Sequence, residues 1–282
     1  MRRALAKRFS DAGLPFAAED ALDLVLGVSG LSRAEVVAGA ELPDADALEA
    51  AALRRLQGEP VDRILGHRDF YGRRFSISGV LSPRGDTEVL LLAALEAVRD
   101  VDAPRLLELG TGSGALAVSI LAERADARVT ATDISEAALR TAAANAEAHG
   151  VDDRLTLLRS DWFAAVEGTF HAVLSNPPYI DDAAMEALSR EVAEHDPDLA
   201  LRGGADGLDA YRAIVPDARA HLVPGGWLGV EIGFDQGESV STLLEAAHYG
   251  GVGVRPDPAG LPRVVSGRFT AGKPVGKMAK TL

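Results

Sequence analysis

No cysteine occurs in the 282 residues. Disulfides, thiolate metal sites and cysteine nucleophiles are therefore excluded together, and the composition suits a reducing compartment, so a cytoplasmic location is expected. Long apolar runs are missing too. Met1–Ser10 is basic but no extended apolar stretch follows, and the run Leu90–Val98 is broken by Glu96; neither a signal peptide nor a membrane span is expected, and the chain reads as soluble. Basic charge is scarce, with 29 Lys and Arg against 42 Asp and Glu and a net charge of −13. Charge-driven binding to nucleic acid or anionic lipid depends on cations that neutralise phosphates, so direct nucleic-acid and membrane partners are not expected. Arg2, Arg3, Lys7 and Arg8, and Lys273, Lys277 and Lys280 in a Gly/Lys-rich tail from Ala271, are the nearest thing to basic clusters and read as solvated ends. The six histidines show no metal-ligand spacing, so no metal site is expected. Neither a Gly-x-Ser-x-Gly elbow nor a phosphate loop ending in Gly-Lys-Ser/Thr is present, which leaves hydrolase and nucleotidase readings without support.

What is present is an ordinary globular composition, 47% hydrophobic and 25% charged, in a chain long enough for about two domains. Up to about Leu65 the pattern is helical: Leu22, Val25 and Leu26 recur on one face, Ser32-x-x-Glu35 is a capping box, and a further helix is expected from about Asp44 to Leu56. Residues 1–69, with nine Lys/Arg against twelve Asp/Glu, form a helical domain that is not a basic nucleic-acid module. Residues 70–82 mix aromatic and β-branched residues with Gly72 and Gly79, which predicts a two-stranded hairpin as connector. From residue 83 to 282 the grammar becomes alternating strand and helix. Arg105–Leu109, Arg128–Asp133, Leu155–Asp161, Ala172–Asn176 and Gly226–Gly233 are strand-like, and Gly250–Arg255 with Val264–Thr270 closes the sheet as a hairpin. The fold class is therefore α/β, a parallel sheet wrapped by helices behind a small helical domain.

The first of these strands runs through Glu108 into Gly110-Thr111-Gly112-Ser113-Gly114, and a helix starts at Ala115. A turn of this kind lets backbone amides approach a ligand closely. Asp133, at the end of the next strand and 21 residues beyond Gly112, is placed to accept from both hydroxyls of a ribose, and Ser135 behind it caps the following helix. Asp161-Trp162 ends the third strand on the same edge, where a carboxylate accepts from an adenine amino group and an indole covers its face. Gly110, Gly112 and Ala115 equally satisfy the dinucleotide fingerprint, so a nicotinamide or flavin enzyme stays open at this point.

Ser175-Asn176-Pro177-Pro178-Tyr179 ends the fourth strand and opens on the same crevice. Two adjacent prolines lack donors and hold the turn stiffly. The Asn176 side-chain oxygen and the Pro177 carbonyl are two acceptors able to take the two N–H groups of a planar amide or amino nitrogen. That aligns its lone pair with a methyl donor and stabilises the partly positive nitrogen of the transition state. Tyr179 is expected to stack on the planar substrate. No strong base is required, because the nitrogen becomes acidic once alkylated.

These residues resemble the HemK-type class I S-adenosylmethionine-dependent methyltransferases that modify protein glutamine side chains. The likeness extends over nearly the whole chain: Arg63-Ile64-Leu65-Gly66, Phe70-Tyr71-Gly72, Pro83-Arg84-Gly85-Asp86-Thr87-Glu88, Ala200-Leu201-Arg202-Gly203-Gly204, Asp206-Gly207-Leu208, Glu231-Ile232-Gly233 with Gln236, and Arg263-Val264-Val265. The resemblance implies a Rossmann-like, seven-stranded sheet and S-adenosyl-L-methionine as cofactor, with S-adenosyl-L-homocysteine as product. It also implies a peptide chain release factor as protein substrate, methylated on the glutamine of its Gly-Gly-Gln loop and gripped by the N-terminal domain. By the same resemblance Gly110–Gly114 hold the methionine end of the cofactor, Asp133 the ribose, Asp161 and Trp162 the adenine, and Asn176, Pro177, Pro178 and Tyr179 the glutamine amide, Asn176 touching cofactor as well. His195-Asp196-Pro197 departs from the usual Tyr-Glu-Pro and Gly85 from a common proline. Both are expected to lie away from the amide corner and to bear on the choice of protein substrate. Arg84 and Glu88 read either as ordering the substrate entrance or as a helix cap and a surface ion pair. A ribosomal-protein glutamine and an adenine N6 of nucleic acid are the alternative acceptors, the second disfavoured by the acidity.

Overall fold

Five short helices build the N-terminal unit: α1 (Arg2–Asp11), α2 (Ala17–Ser29), α3 (Arg33–Ala38), α4 (Ala45–Leu56) and α5 (Val61–Leu65). The computed structural model describes residues 2–41 and 43–270; the Gly/Lys-rich tail read from the sequence lies outside them. The Ser32 hydroxyl and the Glu35 carboxylate cap α3 reciprocally, and Asp44 caps α4. Phe9, Leu24, Val25, Leu48 and Ala52 close a core of their own.

A hairpin follows, β1 (His67–Phe70) and β2 (Arg73–Ser76). It starts three residues earlier than the spacing predicts. The reversal falls on Tyr71-Gly72, where both residues have positive φ, the conformation that a two-residue hairpin turn demands. The glycine that sets the turn is therefore Gly72, and Gly79 lies beyond the paired strands.

After a 3-10 turn at Gly85–Thr87 and α6 (Glu88–Ala97) the sheet begins. Its strands are β3 (Arg105–Leu109), β4 (Arg128–Asp133), β5 (Leu155–Arg159), β6 (Phe170–Ser175), β7 (Leu222–Glu231), β8 (Tyr249–Pro256) and β9 (Pro262–Phe269). They lie in the order β5-β4-β3-β6-β7-β9-β8, all parallel except β9, which pairs antiparallel with both β7 and β8. The helices between them are α7 (Ala115–Glu123), α8 (Glu136–Ala148), α9 (Asp182–Glu186), α10 (Arg190–His195), α11 (Asp209–Asp217) and α12 (Gly237–Ala246). One face of the sheet is covered by apolar residues of α6 and α7, the other by those of α11 and α12. Strands buried on both faces read as unbroken apolar runs, as Leu106, Leu107 and Leu109 do.

From β3 the chain winds outward to β4 and β5, then returns to β6 on the other side of β3. The carboxyl ends of β3 and β6 are thus the switch point where ligands bind in such sheets. Leu109 pairs with Ser175 across it, and the Ser175 hydroxyl donates to the Leu109 carbonyl at 2.8 Å. The glycine turn and the Asn-Pro-Pro-Tyr corner therefore leave adjacent strands at the same level. Among the described residues no helix is long and apolar enough to cross a membrane.

Candidate active site

A cleft of about 310 Å³ opens at this switch point, and Gly110, Thr111, Gly112, Ser113, Asp133, Asp161, Trp162, Asn176 and Pro178 all line it. Gly112 has φ +55 and its amide donates to Asp133 Oδ2 at 2.9 Å, while Asp133 Oδ1 accepts from Ser135 N at 2.9 Å. Each carboxylate oxygen keeps further lone pairs for a ligand. Gly114 does not line the cleft. It caps α7 with φ +78, and a Cβ there would stand 3.0 Å from the Cβ of Ala142 on α8. It is the glycine that lets helix and helix approach.

Trp162 reaches the cleft through a backbone reversal, with φ +45, that non-glycine residues rarely adopt. Ser160 holds it: its hydroxyl donates to the Trp162 carbonyl at 2.8 Å and accepts from Ala165 N at 2.9 Å. Such strain, of order 1–3 kcal/mol, persists where the surroundings over-determine it.

At the second corner Asn176 Nδ2 donates to Thr87 Oγ1 at 3.2 Å. Downstream the backbone is tied down. Gln236 Nε2 donates to the Tyr179 carbonyl at 2.9 Å, Ile180 N donates to Leu201 O at 2.9 Å, and Gly203 N donates to Ile180 O at 2.7 Å. Among the described residues, Asn176 Oδ1 and the Pro177 carbonyl take part in no hydrogen bond within the chain. Tyr179 is placed otherwise than the stacking expectation has it. It does not line the cleft but packs against the apolar cluster beneath β7 and α11, and burial pushes its phenol up to about 12. Pro177 is buried behind Pro178 and is likewise not among the cleft-lining residues.

Two buried carboxylates escape a reading by motif alone. Glu108 accepts from Thr111 Oγ1 at 2.8 Å and from Ala117 N at 3.1 Å, so it clamps the glycine turn from below; burial pushes it up to about 8. Glu231 ends β7 beside Thr87 and Asn176. The signal for both was a lone carboxylate inside an apolar strand, a residue type seldom buried without a task.

The expectation that His195-Asp196-Pro197 lies away from the amide corner is corrected. Pro197, Leu199 and Ala200 line the same cleft as Asn176. Asp196 is their anchor, bound by Arg63 at 2.6 Å and Arg84 at 2.8 Å, while Arg63 also donates to the Ile77 and Val80 carbonyls. The α10 segment is tied to the helical unit a second time by Arg55, 3% exposed, which bridges Asp20 and Glu191. A buried arginine keeps its charge, so its burial is tolerated only when that charge is paired this way. Arg84 thus orders the rim of the cleft, and Glu88 accepts from Tyr71 N at 3.1 Å at the start of α6.

A seven-stranded sheet of this order, with the glycine turn and the Asn-Pro-Pro-Tyr corner on one crevice, defines a class I methyltransferase. Residues 84–205 match the Methyltransferase small domain family and residues 1–66 the PrmC N-terminal domain family. The chain is 47% identical over 276 residues to the release factor glutamine methyltransferase of Cereibacter sphaeroides, covering 95% of this chain and 97% of that one. It is 45% identical to the release factor glutamine methyltransferase of Bradyrhizobium diazoefficiens, covering 95% and 93%. Among solved structures, the catalytic domain of hMettl16 in complex with the MAT2A 3'UTR hairpin 6 superposes with a TM-score of 0.56 over 81% of this chain and 84% of that one at 14% identity, a likeness of fold. The chain belongs to the release factor glutamine methyltransferase family. Its cofactor is S-adenosylmethionine, and the cleft fits it: left-handed glycines at Gly110 and Gly112 admit close approach of backbone, and Asp133 keeps acceptor capacity at the rim.

Proposed function

We propose that this enzyme methylates the side-chain amide nitrogen (N5) of the glutamine in the Gly-Gly-Gln loop of a peptide chain release factor. The observation that carries the reading is that Asn176 Oδ1 and the Pro177 carbonyl are, among the described residues, unengaged acceptors on a corner followed by tied-down carbonyls at Tyr179 and Ile180. A primary amide has two N–H donors in one plane, and two fixed acceptors match it. Holding both N–H groups turns the nitrogen lone pair toward the cleft and costs nothing at the moment of reaction, because the acceptors are already in place. S-adenosylmethionine supplies the electrophilic methyl group. Asp133 is assigned to its ribose, Asp161 and Trp162 to its adenine, and the Gly110–Gly114 turn to its methionine end, with Asn176 bordering both ligands. Pro178 forms the wall beside the amide, and Tyr179 supports that wall from the core side.

The amide nitrogen sheds its proton after alkylation, so the Asn176 and Pro177 acceptors suffice without a general base. Residues 1–69 are assigned to gripping the protein substrate, residues 70–82 to the connector and residues 83–282 to catalysis. A cytoplasmic location goes with that substrate.

The test is methyl transfer from labelled S-adenosylmethionine to three acceptors offered in parallel: release factor, ribosomal protein and duplex DNA. Label on the release factor glutamine is the expected result. Label confined to the ribosomal protein or to adenine would replace the substrate assignment.

A further inference from the structure

Glu108 is accounted for by the turn it clamps; Glu231 is not used by the assignments above. It ends β7 with 1% exposure, and its Oε2 is buried without a hydrogen-bond partner. The side chains that bear on it converge from four elements. They are Thr87 and Asp86 from the 3-10 turn, Asn176 and Tyr179 from the corner after β6, Tyr211 from α11 and Arg263 from β9. Asn176 Nδ2 in turn donates to Thr87 Oγ1 at 3.2 Å.

We propose that Glu231 is a positioning residue for methyl transfer, fixing through Thr87 which end of the Asn176 side-chain amide faces the cleft. The proposal rests on the reading of Asn176 as acceptor for the substrate amide. An ionised carboxylate only accepts hydrogen bonds, whereas a threonine hydroxyl has a single proton to give. With Glu231 ionised, that proton goes to the carboxylate, and the Thr87 oxygen is left to accept. Only the NH₂ end of Asn176 satisfies it, so Oδ1 points into the cleft. The two ends of an asparagine amide are nearly isosteric, so packing alone does not choose between them; the polarity of the chain Asn176, Thr87, Glu231 does.

Protonation reverses this logic. A neutral Glu231 donates to Thr87, the hydroxyl turns to Asn176 Oδ1, and the NH₂ of Asn176 then meets the N–H groups of the substrate. Burial pushes the Glu231 carboxyl up to about 7, opposed by Thr87, the positive charge of Arg263 and Asn176, with Asp86 adding to the rise. Turnover is therefore expected to fall as pH drops through about 7, with the acid limb belonging to Glu231.

The test uses the full-length enzyme with release factor as acceptor, and compares E231Q, T87V, T87S and N176A. Cofactor affinity is measured by calorimetry and folding by thermal melting. Glutamine keeps the shape of Glu231 but does not titrate, and it offers one acceptor and one donor end where the ionised carboxylate offers two acceptors. E231Q is expected to lower kcat about 10–100-fold and to lose the acid limb, with cofactor Kd within about twofold of wild type. T87V, which lacks the hydroxyl, should fall as far, and T87S, which keeps it, should lose about fivefold less than T87V. Wild-type kcat with an unchanged acid limb in E231Q overturns the proposal. Should E231Q fail to fold, the Thr87 pair decides, and equal loss in T87S and T87V overturns it. Normal turnover in N176A would instead overturn the acceptor reading itself, whereas an inactive N176A beside a fully active E231Q removes only the role of Glu231.

Discussion

The two corners of the cleft leave neighbouring strands at the same level, since Leu109 pairs with Ser175, yet one is built of glycines and the other of prolines. After β3, left-handed glycines bring bare backbone up to the cleft, with the Thr111, Gly112 and Gly114 amides donating within the chain. After β6, two prolines remove N–H groups and leave carbonyl and amide oxygens. Each corner has a glutamate buried behind it. Glu108 accepts from Thr111 and Ala117 on one oxygen and so braces the glycine turn; Glu231 has, among the described residues, a buried oxygen without a hydrogen-bond partner and lies beside Thr87 and Asn176. On the proposed reading one sheet edge separates two tasks, the glycine corner for the cofactor and the proline corner for the amide.

The sharpest way to break that division is to remove the acceptor. Asn176→Ala is expected to lower kcat about 10³-fold or more, with cofactor Kd within about threefold. Calorimetry beside single-turnover transfer checks it, and a matching loss of cofactor affinity would show that the corners are not separate. Asp133→Ala should do the reverse, weakening cofactor binding about 30–100-fold, the size of lost charge-assisted hydrogen bonds, while kcat at saturating cofactor falls far less.

Gly114→Ala probes the glycine corner without touching its lining. The new Cβ meets Ala142 at 3.0 Å and the residue sits at φ +78, so a destabilisation of about 1–2 kcal/mol is expected, read as a lower denaturant midpoint. A further effect concerns pH. Glu108 keeps its proton to about 8 when folded, whereas in the unfolded chain it ionises near 4.5. The folded state binds the extra proton in that window, so its contribution to stability falls as pH rises from 4.5 to 8. Glu231 acts with the same sign up to about 7. Glu108→Gln should flatten the decline, leaving a remnant confined below about pH 7; denaturant midpoints at several pH values would show it, and an unchanged slope would refute the assignment.

Much of this was legible before any coordinates. The strand–glycine–helix turn, the acidic end of the next strand and the Asn-Pro-Pro-Tyr corner each carry local chemistry, so their residues could be named from spacing. The Ser32–Glu35 capping box and the Asp44 cap were equally local. Three things were not legible. Thr87 and Asn176 are 89 residues apart and meet only because α6 starts beside the end of β6. Pro197 and Leu199 reach the cleft because Asp196 is gripped by Arg63 and Arg84, a contact spanning 133 residues of chain in one case. Tyr179 reads as a stacking platform from its position in the motif, yet Gln236 fixes its carbonyl and its ring packs toward the core.

By itself, then, the order of amino acids determined the elements that local sterics and patterning control: helical caps, glycine reversals, donor-free prolines and the alternation of strand and helix. Tertiary structure alone decided which carboxylates stand behind which corner and which end of Asn176 is offered to the cleft. The physical reason is that an amide's orientation and a carboxyl's charge state depend on neighbours in space, and those neighbours arrive from strands distant in the chain.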